Sequence, residues 1–512
     1  MNYSSRRRQT PRRWLPALLL PLIVLVAFQP LHGAGTTAAS SSASSALPAQ
    51  PSAHLLPGGL ADRQGTARVA QDRLDAYVQE RMAAWSVPGL SLAIIEGGQV
   101  TLTRGYGLAD REANRPMTPQ TPVAVGSTTK PLTAAAIMQL VEAGRVELDA
   151  PVTRYLPWFT LEGPGAAEIT VRQLLTHTSG IPASAALDSR QEPDALERRI
   201  RSLEWEKLRS APGTRWEYAN DGYNTAGLIV QTVSGLPFEQ YVAEQLFAPL
   251  GMTHSTFDSA RAGDWGLAQG YVKRKGELRP ERTRLTRAYN PSGMMLTTAD
   301  DAGRFLAAMT NGGATPGGEP TGARILSETS VAQVWVPAAR VSDNVEYGLG
   351  WFLSQQEGLA VALHPGEILT MGSMFAVVPA RKLGVAVLAN LDSDGKDEIA
   401  EGVARLLLGL EPVLRPVPQT GAANTFVPNR AVWDQYVGEY ETPQGQLRIV
   451  REGDKLAGGI MAFGFELEPI SDTHFVIHTE LSSFDETVIE FRPEEDGSVS
   501  LYVKGQRFGV KR

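Results

Sequence analysis

A serine and a lysine, three residues apart, stand at the junction between an apolar run and a helical pattern. Residues 122–126 read Pro-Val-Ala-Val-Gly, and residues 127–130 read Ser-Thr-Thr-Lys. Apolar residues then recur every three or four positions until Gly144, which predicts a helix that ends there. The tetrad therefore predicts Ser127 at a helix N-terminus, where backbone N–H groups have no helical partner. Residues three apart share a helix face, so the lysine amine can reach the serine hydroxyl.

Ser127 and Lys130 together suit nucleophilic catalysis. A helix N-terminus favours an alkoxide or oxyanion and disfavours an ammonium, and burial adds to the second effect. Both effects lower the pKa of a lysine amine from its usual value of about 10.4, so that the amine can take the serine proton. The tetrad alone is equally consistent with an N-cap serine followed by an exposed lysine.

Two later motifs add polar groups suited to the same chemistry. Tyr218 and Asn220 form the only Tyr-x-Asn of the chain. On a loop, alternate residues can point into one cavity, where a phenol relays a proton and an amide binds a substrate carbonyl or orients the lysine.

The third motif is His364-Pro365-Gly366-Glu367, which follows an apolar run at 359–363. Gly366 would let a substrate approach the strand backbone. The N–H of Glu367 could then pair with that of Ser127 as an oxyanion hole.

In this order, the three motifs resemble the signature of the serine beta-lactamase and penicillin-binding-protein superfamily. That signature is Ser-x-x-Lys, then Tyr-x-Asn or Ser-x-Asn, then Lys-Thr-Gly or His-x-Gly. The Tyr-x-Asn form is similar to the class C beta-lactamase branch, with its esterases, D-aminopeptidases and related peptidases. Stretches at 174–182, 212–214 and 291–301 are also similar to that branch.

The resemblance implies an α+β hydrolase domain at 69–410, with an antiparallel sheet flanked by helices and a helical subdomain. It implies catalytic roles for Ser127, Lys130 and Tyr218. The substrate-binding residues that follow from the motifs are Asn220, His364, Gly366 and Glu367.

The third motif departs from the usual pattern in ways that bear on the substrate. Relatives usually offer a lysine and a hydroxyl to a substrate carboxylate, whereas His364 is mostly neutral near pH 7 and Pro365 has no hydroxyl. Pro365 also lacks an N–H for a substrate lying along the strand. An esterase or small peptidase is therefore favoured over a D-alanyl-D-alanine peptidase or a beta-lactamase. A binding protein that stays acylated remains the rival of another class.

Three other sites with suggestive spacing are interpreted as structural. A second Ser-x-x-Lys at 393–396 lies in an Asp-Gly turn, where we expect both side chains to be solvated. Ser-Asp-Asn at 342–344 lies too near the third motif and is interpreted as a loop. His177 has no Gly-x-Ser-x-Gly elbow to serve, and the resembling family has a structural turn at this stretch.

No metal or cofactor is expected. His474 and His478 lie on one face of a predicted strand without a third ligand. The chain contains no dinucleotide fingerprint, P-loop or His-Glu-x-x-His. The expected partner is a small ester, peptide or beta-lactam substrate, and the oligomeric state is left open.

The N-terminal residues predict export. Residues 1–35 contain five arginines and no acid, with an apolar run at 14–28 that holds Pro16 and Pro21. This run is shorter than the ~20 residues of a membrane span, so a cleaved signal is favoured over an uncleaved anchor. The remaining 43 basic and 55 acidic residues give no reason to expect nucleic acid. The absence of cysteine fits a bacterial periplasm or medium.

The rest of the chain divides into a spacer and a second domain. Residues 36–68, rich in Ser and Ala at their start, are interpreted as a flexible spacer. A Pro-rich linker at 411–429 precedes short apolar runs separated by Gly and Asp-Gly turns, which predict a small all-β domain at 430–512. The opening phrase at 436–440 resembles that of lipocalin-like domains appended to some of these hydrolases.

Overall fold

The computed structural model of the protein describes residues 60–182, 190–274, 276–315, 324–342, 344–415, 417, 426–442, 445–460, 463–479, 487–494, 496–503 and 506–511. The predicted signal at 1–35 lies outside these residues, as does the predicted spacer up to residue 59. The described chain begins with a helix, Leu60–Ala84, whose first residues fall within the stretch predicted as spacer. In these ranges, no helix is both long and apolar enough to cross a membrane.

The helices, labelled in chain order, are α1 Leu60–Ala84, α2 Thr129–Glu142, α3 Val171–Leu175, α4 Ala195–Arg201, α5 Asn220–Ser234, α6 Phe238–Val242, α7 Ala248–Leu250, α8 Ser259–Asp264, α9 Asn290–Gly293, α10 Ala299–Thr310, α11 Glu328–Val334 and α12 Gly395–Leu407.

The strands of the first domain are β1 Gly89–Glu96, β2 Gln99–Asp110, β3 Arg115–Pro116, β4 Val123–Ala124, β5 Tyr271–Arg274, β6 Glu277–Pro280, β7 Leu296–Thr297, β8 Ala339–Arg340, β9 Val345–Tyr347, β10 Phe352–Gln356, β11 Leu359–Ile368, β12 Met371–Val378 and β13 Leu383–Ala389. Those of the C-terminal barrel are β14 Gly438–Thr442, β15 Gly445–Glu452, β16 Lys455–Ile460, β17 Phe463–Pro469, β18 His474–His478, β19 Val488–Pro493, β20 Val499–Val503 and β21 Gln506–Lys511.

A nine-stranded antiparallel sheet forms the centre of the first domain, in the order β3-β2-β1-β13-β12-β11-β10-β9-β8. Its central strands are apolar on both faces because helices cover both. Leu90, Leu92 and Ile94 of β1 pack with α1 and α12, whereas Ala93 and Ile95 belong to the core on the opposite face. Successive strand residues alternate between faces, so an almost wholly apolar strand is what a covered sheet requires.

Helices α2 to α9 lie in a helical subdomain, in which α2, α5 and α9 contact one another. Gly144 takes a left-handed conformation just after α2, as expected of a residue that ends a helix. Two small sheets, β4 with β7 and β5 with β6, complete this part of the fold. The predicted α+β fold with an antiparallel sheet and a helical subdomain is confirmed.

The C-terminal strands β14 to β21 form a closed antiparallel barrel in chain order, which is completed by pairing between β14 and β21. This confirms the predicted small all-β, lipocalin-like barrel. Aromatic rings fill its interior: Tyr436 stacks on Phe491 at 4.5 Å between ring centroids, and Trp433 and Phe475 are buried beside them. The barrel interior is therefore a packed core of its own side chains.

Candidate active site

Ser127 lies in a short 3₁₀ turn, Gly126–Thr128, that leads directly into α2. Gly126 has a φ of +57°, and a Cβ on it would lie 2.5 Å from the backbone nitrogen of Glu367. Only glycine combines this φ with so close an approach, so Gly126 brings the turn against β11. Ser127 is 5% exposed, which places its hydroxyl inside the fold, at the start of a helix.

The Lys130 amine has three polar neighbours. Nζ lies 3.0 Å from Ser127 Oγ, 2.8 Å from Asn220 Oδ1 and 2.6 Å from the backbone oxygen of Ser292. The last two are carbonyl oxygens, which can only accept. A neutral amine would donate its two N–H groups to them and keep its lone pair for the serine O–H. The geometry therefore fits a neutral lysine that can take the proton of Ser127.

The surroundings of Lys130 also favour its neutral form. The residue is fully buried, and burial lowers the pKa of its amine well below the ordinary value. Nζ lies 4.7 Å from the ring centroid of Tyr218 and 5.6 Å from that of Tyr223. The attraction between an aromatic face and an ammonium offsets only part of the free energy needed to remove that ammonium from water.

Tyr218 and Asn220 stand on either side of Ala219, an extended residue that precedes α5. Extended backbone turns alternate side chains to one side, and both of these reach Lys130. Burial raises the pKa of Tyr218 well above its ordinary value, while the neighbouring Ser127 hydroxyl opposes this change. Within the described part of the chain, Tyr218 Oη makes no hydrogen bond of full geometry, although the Ser127 hydroxyl lies near enough to stabilise its phenolate. The phenol is thus a neutral O–H group that can donate to an incoming molecule.

Gly366 brings β11 against the protein's own backbone. It pairs with Ser373 on β12. A Cβ on it would lie 1.9 Å from the Val125 oxygen and 2.3 Å from Ser373 Oγ. The sequence suggested that this glycine makes room for a substrate, whereas on the side of its absent Cβ the room is taken by Val125. Its observed effect is to seat the strand beside the turn that holds Ser127.

His364 is fully buried, and both of its ring nitrogens have partners. Tyr347 Oη donates to Nε2 at 3.1 Å, and Nδ1–H donates to the Pro365 oxygen at 2.7 Å. Burial, followed by the nearby Lys130, lowers the pKa of His364 to about 3. The ring is therefore neutral at physiological pH, and its nitrogens are used within the protein.

The family model described as Beta-lactamase matches residues 74–410. This chain belongs to the Beta-lactamase family. The match covers the sheet and the helical subdomain, including all three motifs. The predicted resemblance to the serine beta-lactamase and penicillin-binding-protein superfamily is confirmed.

Several relatives are similar to this Beta-lactamase-family chain. Protein flp of Staphylococcus aureus strain MW2 is 28% identical over 335 residues, which are 65% of this chain and 65% of flp. The putative penicillin-binding protein PbpX of Bacillus subtilis is 32% identical over 263 residues, 51% of this chain and 61% of PbpX. This chain thus spans less than two thirds of the length of either relative.

A solved structure is similar over a larger part of the chain. The octameric penicillin-binding protein homologue from Pyrococcus abyssi superposes with a TM-score of 0.60 at 26% identity. The superposition covers 86% of this chain and 99% of that one.

The second Ser-x-x-Lys of this Beta-lactamase-family chain is buried, so the expectation of a solvated turn was wrong. Lys396 is fully buried in the first turn of α12. Its Nζ lies 3.6 Å from Glu367, 3.3 Å from Asp392 and 3.4 Å from Asp397. These carboxylates raise the pKa of Lys396 although burial opposes them. Lys396 is therefore a charged structural residue, and the carboxylate of Glu367 is directed toward it.

His177 lies closer to the site than the sequence indicated. Its ring centroid is 4.1 Å from that of Tyr218, and its Nδ1 accepts from the N–H of Ala219 at 3.1 Å. Its pKa is lowered well below the ordinary value by burial, then by Lys130 and His364. The family's Leu-Thr-His-Thr-Ser-Gly run was the sequence signal for this residue, but it did not show which element the ring contacts. Of the Ser-Asp-Asn sequence, Asp343 lies outside the described residues.

Proposed function

We propose that this chain is an exported serine hydrolase that cleaves esters or small peptide amides through an acyl-enzyme on Ser127. One observation carries the proposal: the fully buried Lys130 amine lies 3.0 Å from Ser127 Oγ, and its other two hydrogen-bond partners are neutral carbonyl oxygens. A lysine held in this way acts as the base that activates a serine.

In the proposed acylation step, Ser127 Oγ attacks the substrate carbonyl carbon while its proton passes to the lone pair of Lys130 Nζ. The N–H groups of Ser127 and Glu367 donate to the oxyanion that forms. When the tetrahedral intermediate collapses, the bond to the leaving group breaks. Tyr218 gives that group its proton and is reprotonated from the Lys130 ammonium. Asn220 keeps the amine oriented.

Deacylation reverses these roles with water in place of the alcohol or amine. Water attacks the ester carbonyl of the acyl-enzyme and gives up a proton to the Tyr218 and Lys130 pair. The bond to Ser127 Oγ then breaks, the serine regains a proton, and the acid leaves. The rate of this second half separates a hydrolase from a protein that stays acylated.

The third motif supports esters or small amides over substrates with a free carboxylate. His364 is neutral, and its nitrogens bond to Tyr347 and Pro365. No cation is thus offered at the position where Lys-Thr-Gly relatives hold a lysine. The second candidate is a beta-lactamase, a D-alanyl-D-alanine peptidase-like enzyme or a non-turnover penicillin sensor. It is favoured by the names of the B. subtilis and P. abyssi relatives.

Burst kinetics with p-nitrophenyl acetate and with nitrocefin, followed by intact mass, test the proposal. We expect turnover of the ester and a transient acetyl adduct that is lost in Ser127→Ala. Ser393→Ala, in the second Ser-x-x-Lys, serves as the matched control and keeps the activity. Labelling that survives Ser127→Ala contradicts the proposal, and a stoichiometric burst with a stable adduct favours the sensor.

Export is proposed from the Arg-rich, apolar start of the chain. Expression of the full chain in a Gram-negative host, fractionation, and intact mass of the recovered protein test it. A periplasmic or secreted product shortened near residue 35 is expected. A full-length product in the membrane fraction would instead support an anchor.

A further inference from the structure

His177 lies just after α3, in a backbone conformation that glycine usually takes. Thr176 ends the helix, and His177 follows with a φ of +57°. A left-handed residue after a helix is most often Gly, or sometimes Asn, because a Cβ is strained there. A histidine here has backbone strain that a glycine would avoid, so the contacts of its ring have to compensate for that strain.

Those contacts surround Tyr218. The backbone oxygen of His177 accepts from the N–H of Glu217 at 2.7 Å, and its ring Nδ1 accepts from the N–H of Ala219 at 3.1 Å. Between these two bonds, the His177 ring lies against the Tyr218 ring with a centroid distance of 4.1 Å and an interplanar angle of 33°. One residue therefore holds the backbone on both sides of the phenol, as well as the phenol itself.

The hydrogen bond that the Ala219 N–H donates to Nδ1 also defines the tautomer of the His177 ring. Nδ1 accepts through its lone pair, so the proton of the neutral imidazole is on Nε2. In the described ranges, Nε2 has no hydrogen-bond partner. The rings of Tyr347 and Tyr223 lie 4.9 and 5.1 Å from the His177 ring. An imidazole in an aromatic enclosure, with only Nδ1 bonded, is suited to holding the backbone and not to moving protons.

Ala219 links the two functional side chains, because Tyr218 precedes it and Asn220 follows it. A shift of its peptide group would move the phenol away from Ser127 and the amide oxygen away from Lys130. We propose that His177 is a positioning residue of the site, which holds the 218–220 segment through its Nδ1 acceptor and its stacked ring. The proposal rests on the proposed acyl-enzyme function, since the position matters to the rate only if these groups act.

Three substitutions at this position separate the acceptor from the ring. His177→Asn places an amide oxygen where Nδ1 is and tolerates a left-handed backbone. His177→Phe keeps a ring and removes the acceptor, and His177→Gly removes both while relieving the backbone strain. Asn114→Gly is the matched control, because Asn114 is exposed and has a φ of +49°. Each variant is assayed for its thermal midpoint, for its acylation rate with p-nitrophenyl acetate, and for KM.

We expect His177→Gly to have a lower thermal midpoint than the wild type, because removing the buried ring leaves a cavity. At temperatures well below that midpoint it should be folded and should acylate about 100-fold more slowly, with little change in KM. His177→Phe should be similarly slow, and His177→Asn should recover most of the rate. Asn114→Gly should match the wild type. This pattern cannot arise from lost stability alone, because the slow glycine variant is folded.

A folded His177→Gly that acylates Ser127 at the wild-type rate overturns the positioning role. A folded His177→Asn as slow as His177→Gly overturns the role of the Nδ1 acceptor. If the wild-type protein neither releases p-nitrophenol nor gains mass, the proposed function itself fails and this role with it. Failure of the inference alone is recognised by an active wild type and equally active variants.

Discussion

Replacing Asn220 with aspartate places a carboxylate next to the Lys130 amine, where an amide oxygen now lies 2.8 Å from Nζ. The two side chains have the same shape, so the contact is retained while its charge changes. An ion pair 4 Å apart is worth about 4 kcal/mol at an effective dielectric constant of about 20. At 1.36 kcal/mol per pKa unit, that amounts to about 3 units.

The cost of burying the new carboxylate offsets part of this gain, so we expect the pKa of Lys130 to rise by about 2 units. Acylation needs the neutral amine. The acid limb of kcat/KM for p-nitrophenyl acetate should therefore move about 2 pH units upward. At any pH below the acid limbs of both proteins, the variant should be about 100-fold slower than the wild type. At pH values above the displaced limb, most of the activity should return.

A surface pair provides the control. Lys382 Nζ donates to Asn311 Oδ1 at 3.1 Å, so Asn311→Asp makes the same change beside an exposed lysine. We expect no change in its pH profile, since exposed charges interact weakly. If the acid limb stays in place in Asn220→Asp while the rate falls equally at all pH values, Lys130 is not the titrating base.

Two further predictions concern stability. Unfolded His364 binds a proton below about pH 6.5, whereas the folded ring stays neutral down to about pH 3. The unfolded state thus holds the extra proton, so each pH unit of acidification in this window lowers the free energy of unfolding by up to about 1.4 kcal/mol. His364→Gln should flatten this slope in urea titrations at several pH values, and an unchanged slope would contradict the argument. Lys396→Met leaves three carboxylates without their ammonium and should lower the free energy of unfolding by about 3–5 kcal/mol. The same change at exposed Lys382 should cost less than about 1 kcal/mol, and equal losses would refute the buried cluster.

The sequence predicted those parts of the fold and site that depend on local pattern. Helical periodicity after residue 130 predicted α2, and the short apolar runs near the C-terminus predicted the barrel strands. Tyr218 and Asn220 were expected to share one side because they alternate, and the structure brings both to Lys130. These expectations needed only the spacing of residues along one element.

Expectations failed where the outcome depends on the packing of distant elements. The Asp-Gly turn before Lys396 was expected to be solvated, but α12 packs on β12 at Gly372. The two elements approach so closely that a Cβ on Gly372 would lie 2.5 Å from Lys396 Cδ. The contact of His177 with Tyr218 joins residues 41 positions apart in the chain. No periodicity in either segment indicates such contacts.

The burial of several basic groups together has a consequence for substrate choice. Burial first, and the charge of a protonated Lys130 second, lower the pKa values of His177 and His364. The region around the amine therefore resists positive charge. In the proposed acylation step, Lys130 takes the serine proton as the oxyanion forms, so the two charges offset each other.

A substrate that brings its own carboxylate changes this balance. Such an anion near the site stabilises the Lys130 ammonium before the reaction begins and weakens the base. A neutral ester leaves the amine neutral. We therefore expect the acid limb for acylation by nitrocefin, which carries a carboxylate, to lie at higher pH than the limb for p-nitrophenyl acetate. Stopped-flow acylation rates over a pH series measure both limbs. Coincident limbs would show that the charge of the substrate does not affect Lys130, and the proposed preference for neutral acyl groups would lose this support.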